Sequence, residues 1–243
     1  MRRDLVGLAR DVEPDRRDAQ GGRADAVGPP SGRRSRRRCL TTIGGFSIFT
    51  ELSEDERVRL SILDLADGER VLSGVQAGRQ LLGKLVAAAR PPSDPEPAYL
   101  DFDGVEVATA SFLREGVIAF RDHARSTLPA LYPVIANASP AVIEELEFFL
   151  RHRRDALWAC RLTPSGEPRE PKIVGELDEA HQSTFDLVAR LKSASAPGLA
   201  AQSKEGLAPT AWNNRLSSLA ARGLLIERRS GKTKTFAPVL EIA

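Results

Sequence analysis

The stretch Ala208–Phe236, APTAWNNRLSSLAARGLLIERRSGKTKTF, decides how the rest of the chain reads. Trp212, Leu216 and Leu219 recur at i, i+4 and i+7, which predicts one apolar helix face. Thr210, Asn213, Asn214 and Ser217 recur at i, i+3, i+4 and i+7 on a different face, and their short side chains both donate and accept hydrogen bonds. Pro209 suits a first helical turn, where its missing N–H has no partner to lose. Gly223 suits the stop, because glycine enters the left-handed region at little cost. Leu224–Glu227 reads as a strand, Ser230-Gly231 as a tight turn and Thr233–Phe236 as the returning strand. From Leu207 to Phe236 the chain holds six basic residues (Arg215, Arg222, Arg228, Arg229, Lys232, Lys234) against one acid, Glu227. That local excess suits a polyanionic partner.

These residues resemble the recognition helix and wing of bacterial winged helix-turn-helix regulators, over roughly Glu176–Val239. The resemblance implies duplex DNA as partner. Thr210, Asn213, Asn214 and Ser217 would enter the major groove, where asparagine reads adenine and threonine or serine meets base or phosphate. Arg215 and Arg222 would flank the groove at phosphates. Arg228, Arg229, Lys232 and Lys234 would meet the backbone or an adjacent minor groove. By analogy with such regulators the expected form is a homodimer, since one winged helix reads few bases. Winged helices also serve as protein-interaction modules without DNA.

The chain has 243 residues, room for one or two domains. Its hydrophobic content, 42%, supports a real core, and its net charge is only +2, so the basic excess is local. Cys39 and Cys160 show neither metal-ligand spacing nor a disulfide framework, which fits a reduced cytoplasm. No apolar run reaches the ~18 residues of a membrane span, and no signal peptide is expected.

Met1–Arg38 carries eleven arginines against six acids and almost no apolar periodicity, which predicts disorder. Its run Arg33-Arg34-Ser35-Arg36-Arg37-Arg38 reads either as a basic nucleic-acid arm or as a solvated tail. Cys39–Phe49 is mildly apolar and reads as an edge strand. Ser53 and Glu56 have capping-box spacing. Ser61–Leu65 reads as a strand. Within Gly68–Arg90, Val75, Arg79, Leu81, Leu82, Leu85 and Val86 form a helical stripe. Gly74, Gly78 and Gly83 would let that helix lie close to a sheet. Tyr99–Phe102, Leu131–Asn137 and Ala156–Leu162 read as strands. Ser111 opens one helix and Pro140–Arg153 forms another, with Val142, Ile143, Leu146, Phe149 and Leu150 inward. Strands alternating with helices predict an α/β layer.

Two segments, YLDFDGVEVATASFLREGVIAF and PVIANASPAVIEELEFFL, resemble the STAS-like domain of bacterial proteins related to anti-sigma-factor antagonists, over about Ile62–Leu162. The resemblance implies a domain that senses or docks a partner, with Thr109 and Ser111 as its switch or docking loop. In phosphorylated antagonists the modified serine sits at the position of Ala110 here, and Phe112 replaces that family's first helix glycine. Both departures tell against phosphoswitching. Read without the family, Ser111 is a helix N-cap, with Thr109 as the substitute. Asp101 and Asp103 read as loop-turning acids.

Thr163–Pro171, TPSGEPREP, places a domain boundary. The expected division is a disordered tail at 1–40, a STAS-like α/β domain at 41–163, a linker at 164–175 and a winged helix, α+β in class, at 176–243. Asp178 should cap a helix Glu179–Leu191 with Phe185, Val188 and Leu191 inward, and Pro197 should start a short one. His123, His152 and His181 are scattered, with no metal-binding or phosphate-loop motif. No enzyme activity, cofactor or metal is expected. The leading expectation is a DNA-binding regulator whose STAS-like domain senses or docks a partner. The alternative is a partner-switching module, docking through Val107–Arg114, that does not touch DNA.

Overall fold

The computed structural model describes residues 37–43, 46–52, 58–203 and 205–242. The chain divides into two compact units, residues 1–54 and 55–243. In the first, β1 (Arg37–Ile43) pairs antiparallel with β2 (Phe46–Leu52), from Arg37 opposite Leu52 to Ile43 opposite Phe46. The expected edge strand is therefore a two-stranded ribbon, and it begins inside the span assigned to the tail. Arg33–Arg36 and the Ser53–Glu56 capping box lie outside the described residues.

The second unit is mixed α/β around a five-stranded sheet. In sequence order its strands are β3 (Arg59–Ser61), β5 (Glu96–Asp101), β7 (Leu131–Ala136), β8 (Ala156–Leu162) and β9 (Pro168–Gly175), and they lie side by side in that order. The first four run parallel and β9 pairs antiparallel with β8. All six residues of β7 are buried, which explains its unbroken apolar text: a parallel strand is covered on both faces.

Right-handed crossovers between strands taken in order put every connecting helix on one face. That face carries α2 (Val75–Ala88), the helix α3 (Ala110–Leu113) that passes through a π turn (Arg114–Ile118) into α4 (Ala119–Thr127), and α5 (Pro140–Arg153). Their core joins Leu81, Leu85, Phe112, Val117, Phe120, Val142, Leu146 and Leu150 to the sheet residues Ala98, Leu100, Ile135, Leu157 and Ala159. Gly78 permits the close approach of α2, but to the neighbouring helix rather than the sheet. A Cβ there would lie 2.7 Å from the Phe112 carbonyl oxygen. A small parallel ribbon, β4 (Val71–Leu72) with β6 (Val107–Ala108), sits beside these helices.

The predicted strand at Ser61–Leu65 is instead a helical turn, α1 (Ile62–Leu65). Ser61 ends β3 and caps the turn by accepting from the Asp64 N–H at 3.2 Å. Ile62, Leu63 and Leu65 form a short apolar run of strand length, but the serine–aspartate pair one turn apart favours the cap.

The other sheet face carries Tyr99, Tyr132, Val134, Ala136, Ala156, Trp158 and Cys160. The C-terminal elements cover it: α6 (Glu179–Leu191), α7 (Ala196–Gln202), α8 (Pro209–Ala221), β10 (Leu225–Ser230) and β11 (Thr233–Pro238). Phe185, Val188, Leu199, Trp212, Leu216, Leu219 and Phe236 share one buried cluster with the sheet. The span 164–175 is accordingly no linker. The Thr163 N–H donates to the Glu167 carbonyl at 2.9 Å in a tight turn, and β9 follows as the sheet edge. Its Pro168 and Pro171 are tolerated there because an edge strand need not donate on both sides. The ladder is irregular between Ala159 and Arg161, opposite Glu170, which takes φ 50°. Burying each large ring of this face contributes on the order of 4 kcal/mol as an upper bound, so the two layers stabilise one another.

Among the described residues, no helix is long and apolar enough to cross a membrane.

Candidate nucleic-acid interface

Helix α8 forms as its local chemistry requires. Pro209 occupies the first turn, and Gly223 follows the C-terminus at φ 80°. Trp212, Leu216 and Leu219 are fully buried against the sheet layer. The polar face points the other way at its start. Thr210 and Asn214 are exposed, while Asn213 and Ser217 are half-buried. The first of the four, Thr210, is free, at the end through which helices in a major groove reach base edges.

The hairpin β10–β11 turns at Gly231 (φ 59°), with Ser230 opposite Thr233. Arg228, Arg229 and Lys232 are exposed and Lys234 is half-buried. Arg229 and Lys234 face each other across the ladder, with Glu227 one step back on the same side. The Glu227 carboxylate takes Lys234 Nζ at 2.8 Å and lies 3.8 Å from Arg229 Nε. One acid thus compensates much of that pair, leaving Arg228 and Lys232 as the most available cations.

Two residues expected at phosphates are engaged by their own chain. Arg215 Nη1 donates to Glu205 Oε2 at 3.0 Å, and its guanidinium lies 5.5 Å from the Trp212 ring centre. Arg222 Nη1 donates to the Arg154 carbonyl at 3.1 Å. Charge counting over 207–236 could not show this, because Glu205 stands just ahead of that span and Arg154 comes from the other side of the sheet.

Helix and hairpin meet in one hollow of about 390 Å³. Ser217, Ala220 and Ala221 line it from α8, Glu227 and Arg229 from β10, and Arg125, Pro129 and Tyr132 from the α4–β7 connection. The second half of the polar helix face therefore looks onto the sheet layer, not onto open solvent. Arg125 and Tyr132 hold this corner. The Arg125 guanidinium lies 3.8 Å over the Tyr132 ring, and its Nε donates to the Ala220 carbonyl at 3.3 Å. Its Nη1 donates to the carbonyls of Pro129 (2.7 Å) and Leu131 (2.9 Å). The Tyr132 hydroxyl accepts from the Glu227 N–H at 3.2 Å. Neither residue carried a signal in the sequence: one reads as the polar side of a helix and the other as an ordinary strand residue.

The loop ahead of α3 is arranged differently from the expected cap. The helix starts at Ala110, so Thr109 holds the N-cap position and Ser111 lies inside the first turn. The Thr109 hydroxyl accepts from the Gly74 N–H at 3.4 Å and pairs with the Ser111 hydroxyl at 3.2 Å. Both residues are half-buried. Asp101 is buried and pins the strand ends together. It accepts from Arg59 Nε at 2.6 Å, Asn137 Nδ2 at 2.8 Å and the Asp103 N–H at 3.2 Å.

No family model, curated protein or solved structure matches this chain.

Proposed function

We propose that the protein is a DNA-binding transcriptional regulator: a C-terminal winged helix contacts duplex DNA, and a STAS-like α/β layer senses or docks a partner. The observation that carries this reading is the exposed start of α8, Thr210 and Asn214, next to a hairpin presenting Arg228, Arg229 and Lys232. The order of elements supports it. Three helices precede a hairpin, and the residue pair Ala194 and Phe236 bridges the α6–α7 connection to β11, as the short first strand of a winged helix would. The working form is a homodimer in the cytoplasm, since one module buries too little against DNA for strong discrimination.

Selection of bound duplexes from a random pool, followed by titration at two salt concentrations, tests the reading. Arg228→Ala with Lys232→Ala should weaken binding to all sequences and flatten the salt dependence. Asn214→Ala should mainly relax sequence choice. A full-length protein that binds no duplex at low salt sinks the proposal.

One observation favours a second reading, a partner-switching module without DNA. Val71 and Val107, paired across β4–β6, are 59% and 38% exposed beside Thr109 and Ser111. Stoichiometric capture of a protein by the full chain, lost in Val71→Asp, together with absent duplex binding, would favour it.

A further inference from the structure

At the end of α5 the chain reads Arg151-His152-Arg153-Arg154, and all four residues are exposed. By sequence this is a helix end whose cations complement the dipole. The tertiary structure adds a neighbour. Arg154 takes the left-handed conformation after the helix, φ 50°, and its carbonyl accepts from Arg222 Nη1 at 3.1 Å. Arg222 is the residue that follows α8. The run thus abuts the C-terminal end of the proposed recognition helix, although 68 positions separate Arg154 from Arg222.

The acids around this knuckle are largely engaged elsewhere. Asp155 accepts from Arg121 Nη2 at 2.7 Å and from the Ala156 N–H at 2.9 Å. Asp178 accepts from the His181 N–H at 3.0 Å and lies 2.6 Å from the His181 ring nitrogen Nδ1, and its charge is also felt by Arg222. Glu176 approaches Arg151 at 3.8 Å and compensates that one charge. Arg153 rests its guanidinium 5.3 Å from the Phe149 ring centre, an arrangement that leaves its charge in solvent. Arg153 and Arg154 therefore remain available.

We infer that Arg153 and Arg154 form a second phosphate-contacting surface, supplied by the α/β layer and continuous with the end of α8. On the helix circumference Arg222 follows Asn214 and Ser218 on the flank opposite Ser217, the side that shares its hollow with the hairpin. Cations then border the polar face on both sides, as two strands of a duplex border the major groove. The partner is the sugar–phosphate backbone, read without regard to base. This inference rests on the DNA-binding reading.

The test compares the full-length protein with Arg153→Gln/Arg154→Asn, asparagine being chosen because it tolerates the left-handed conformation. Arg90→Gln, which removes a cation at the end of α2 instead, serves as the charge control. Duplex affinity is measured over a range of salt concentrations, and melting temperature is recorded for each protein. The expected result is a salt slope smaller by roughly 1–2, since each phosphate contact contributes about 0.9, with about tenfold weaker binding at low salt and unchanged base preference. Arg90→Gln should keep the wild-type slope. If the double variant melts early, Arg153→Gln alone carries the comparison, with a slope smaller by about 0.9. A wild-type slope and affinity in the folded variant overturn the inference while leaving the DNA reading intact. Absence of duplex binding by the wild-type protein overturns both.

Discussion

The indole N–H of Trp158, in the middle of β8, donates to the carbonyl oxygen of Leu224 at 2.9 Å, just before β10 begins. Both residues are fully buried. The Trp158 ring also meets Phe185 of α6 edge-on, with centroids 5.7 Å apart. One side chain thus ties the sheet to the first helix and the hairpin of the C-terminal layer. Any motion of the proposed DNA-binding elements relative to the sheet has to break this contact and the Arg125–Ala220 bond beside it.

Trp158→Phe removes that hydrogen bond and part of a large buried ring. It should destabilise the protein by about 2–4 kcal/mol. Trp212 is then the last tryptophan. Urea unfolding of residues 58–243 followed by Trp212 fluorescence and by far-ultraviolet circular dichroism should give coincident transitions, because the two layers share a core. Two separated transitions would show the C-terminal elements to be an independent domain.

Gly175→Ala distinguishes a sheet residue from a linker residue. Gly175 has φ 102°, and an added Cβ would collide with the Asp155 carbonyl oxygen and approach Leu150 Cβ to 2.8 Å. The expected loss is about 2 kcal/mol or more, read as a shift in the denaturation midpoint. A flexible linker would tolerate the change without loss.

The Cys160 thiol should be inert. Burial pushes it up to about 12, with the nearby Asp101 carboxylate adding to the effect. In a Cys39→Ser protein at pH 8, a thiol reagent should label Cys160 only as fast as the protein unfolds. The sign for stability follows from the raised value. The folded protein keeps a proton that the unfolded thiol loses near 8.5, so this contribution is complete below 8.5 and declines as pH rises toward about 12. Rapid labelling of the native protein contradicts the burial.

Asp178 caps α6 through the His181 N–H. Partial burial raises its carboxyl, but the hydrogen bonds from the His181 backbone and ring outweigh that and hold it below the ordinary carboxylate value. Its stabilisation is therefore present above pH ~4 and is lost as pH falls through the lowered value. Asp178→Ala should cost about 1 kcal/mol at neutral pH. The difference between variant and wild type should shrink below pH 4, and a constant difference down to pH 2 would exclude this role.

Much of the C-terminal layer was legible in the sequence because its determinants are local. The bounds of α6, the Asp178 cap, Pro209, Gly223 and the Ser230–Thr233 turn depend on residues within a turn or two of each other. Periodicity also marked Trp212, Leu216 and Leu219 as buried. It failed where two local signals competed, as at Ser61–Leu65, and where proline stood for a boundary, as at Pro168–Pro171. What the three apolar residues of α8 are buried against was a matter of topology alone. Four parallel strands laid down in order send their helices to one side, leaving Tyr99, Tyr132 and Trp158 on a bare face that some other part of the chain must cover. That long-range pairing decided that the C-terminal elements are a layer of the sheet domain. It also decided that Arg222 binds its own chain and that Arg154 stands next to the end of α8, since 68 positions separate the two, whereas the Arg215–Glu205 pair closes over ten positions.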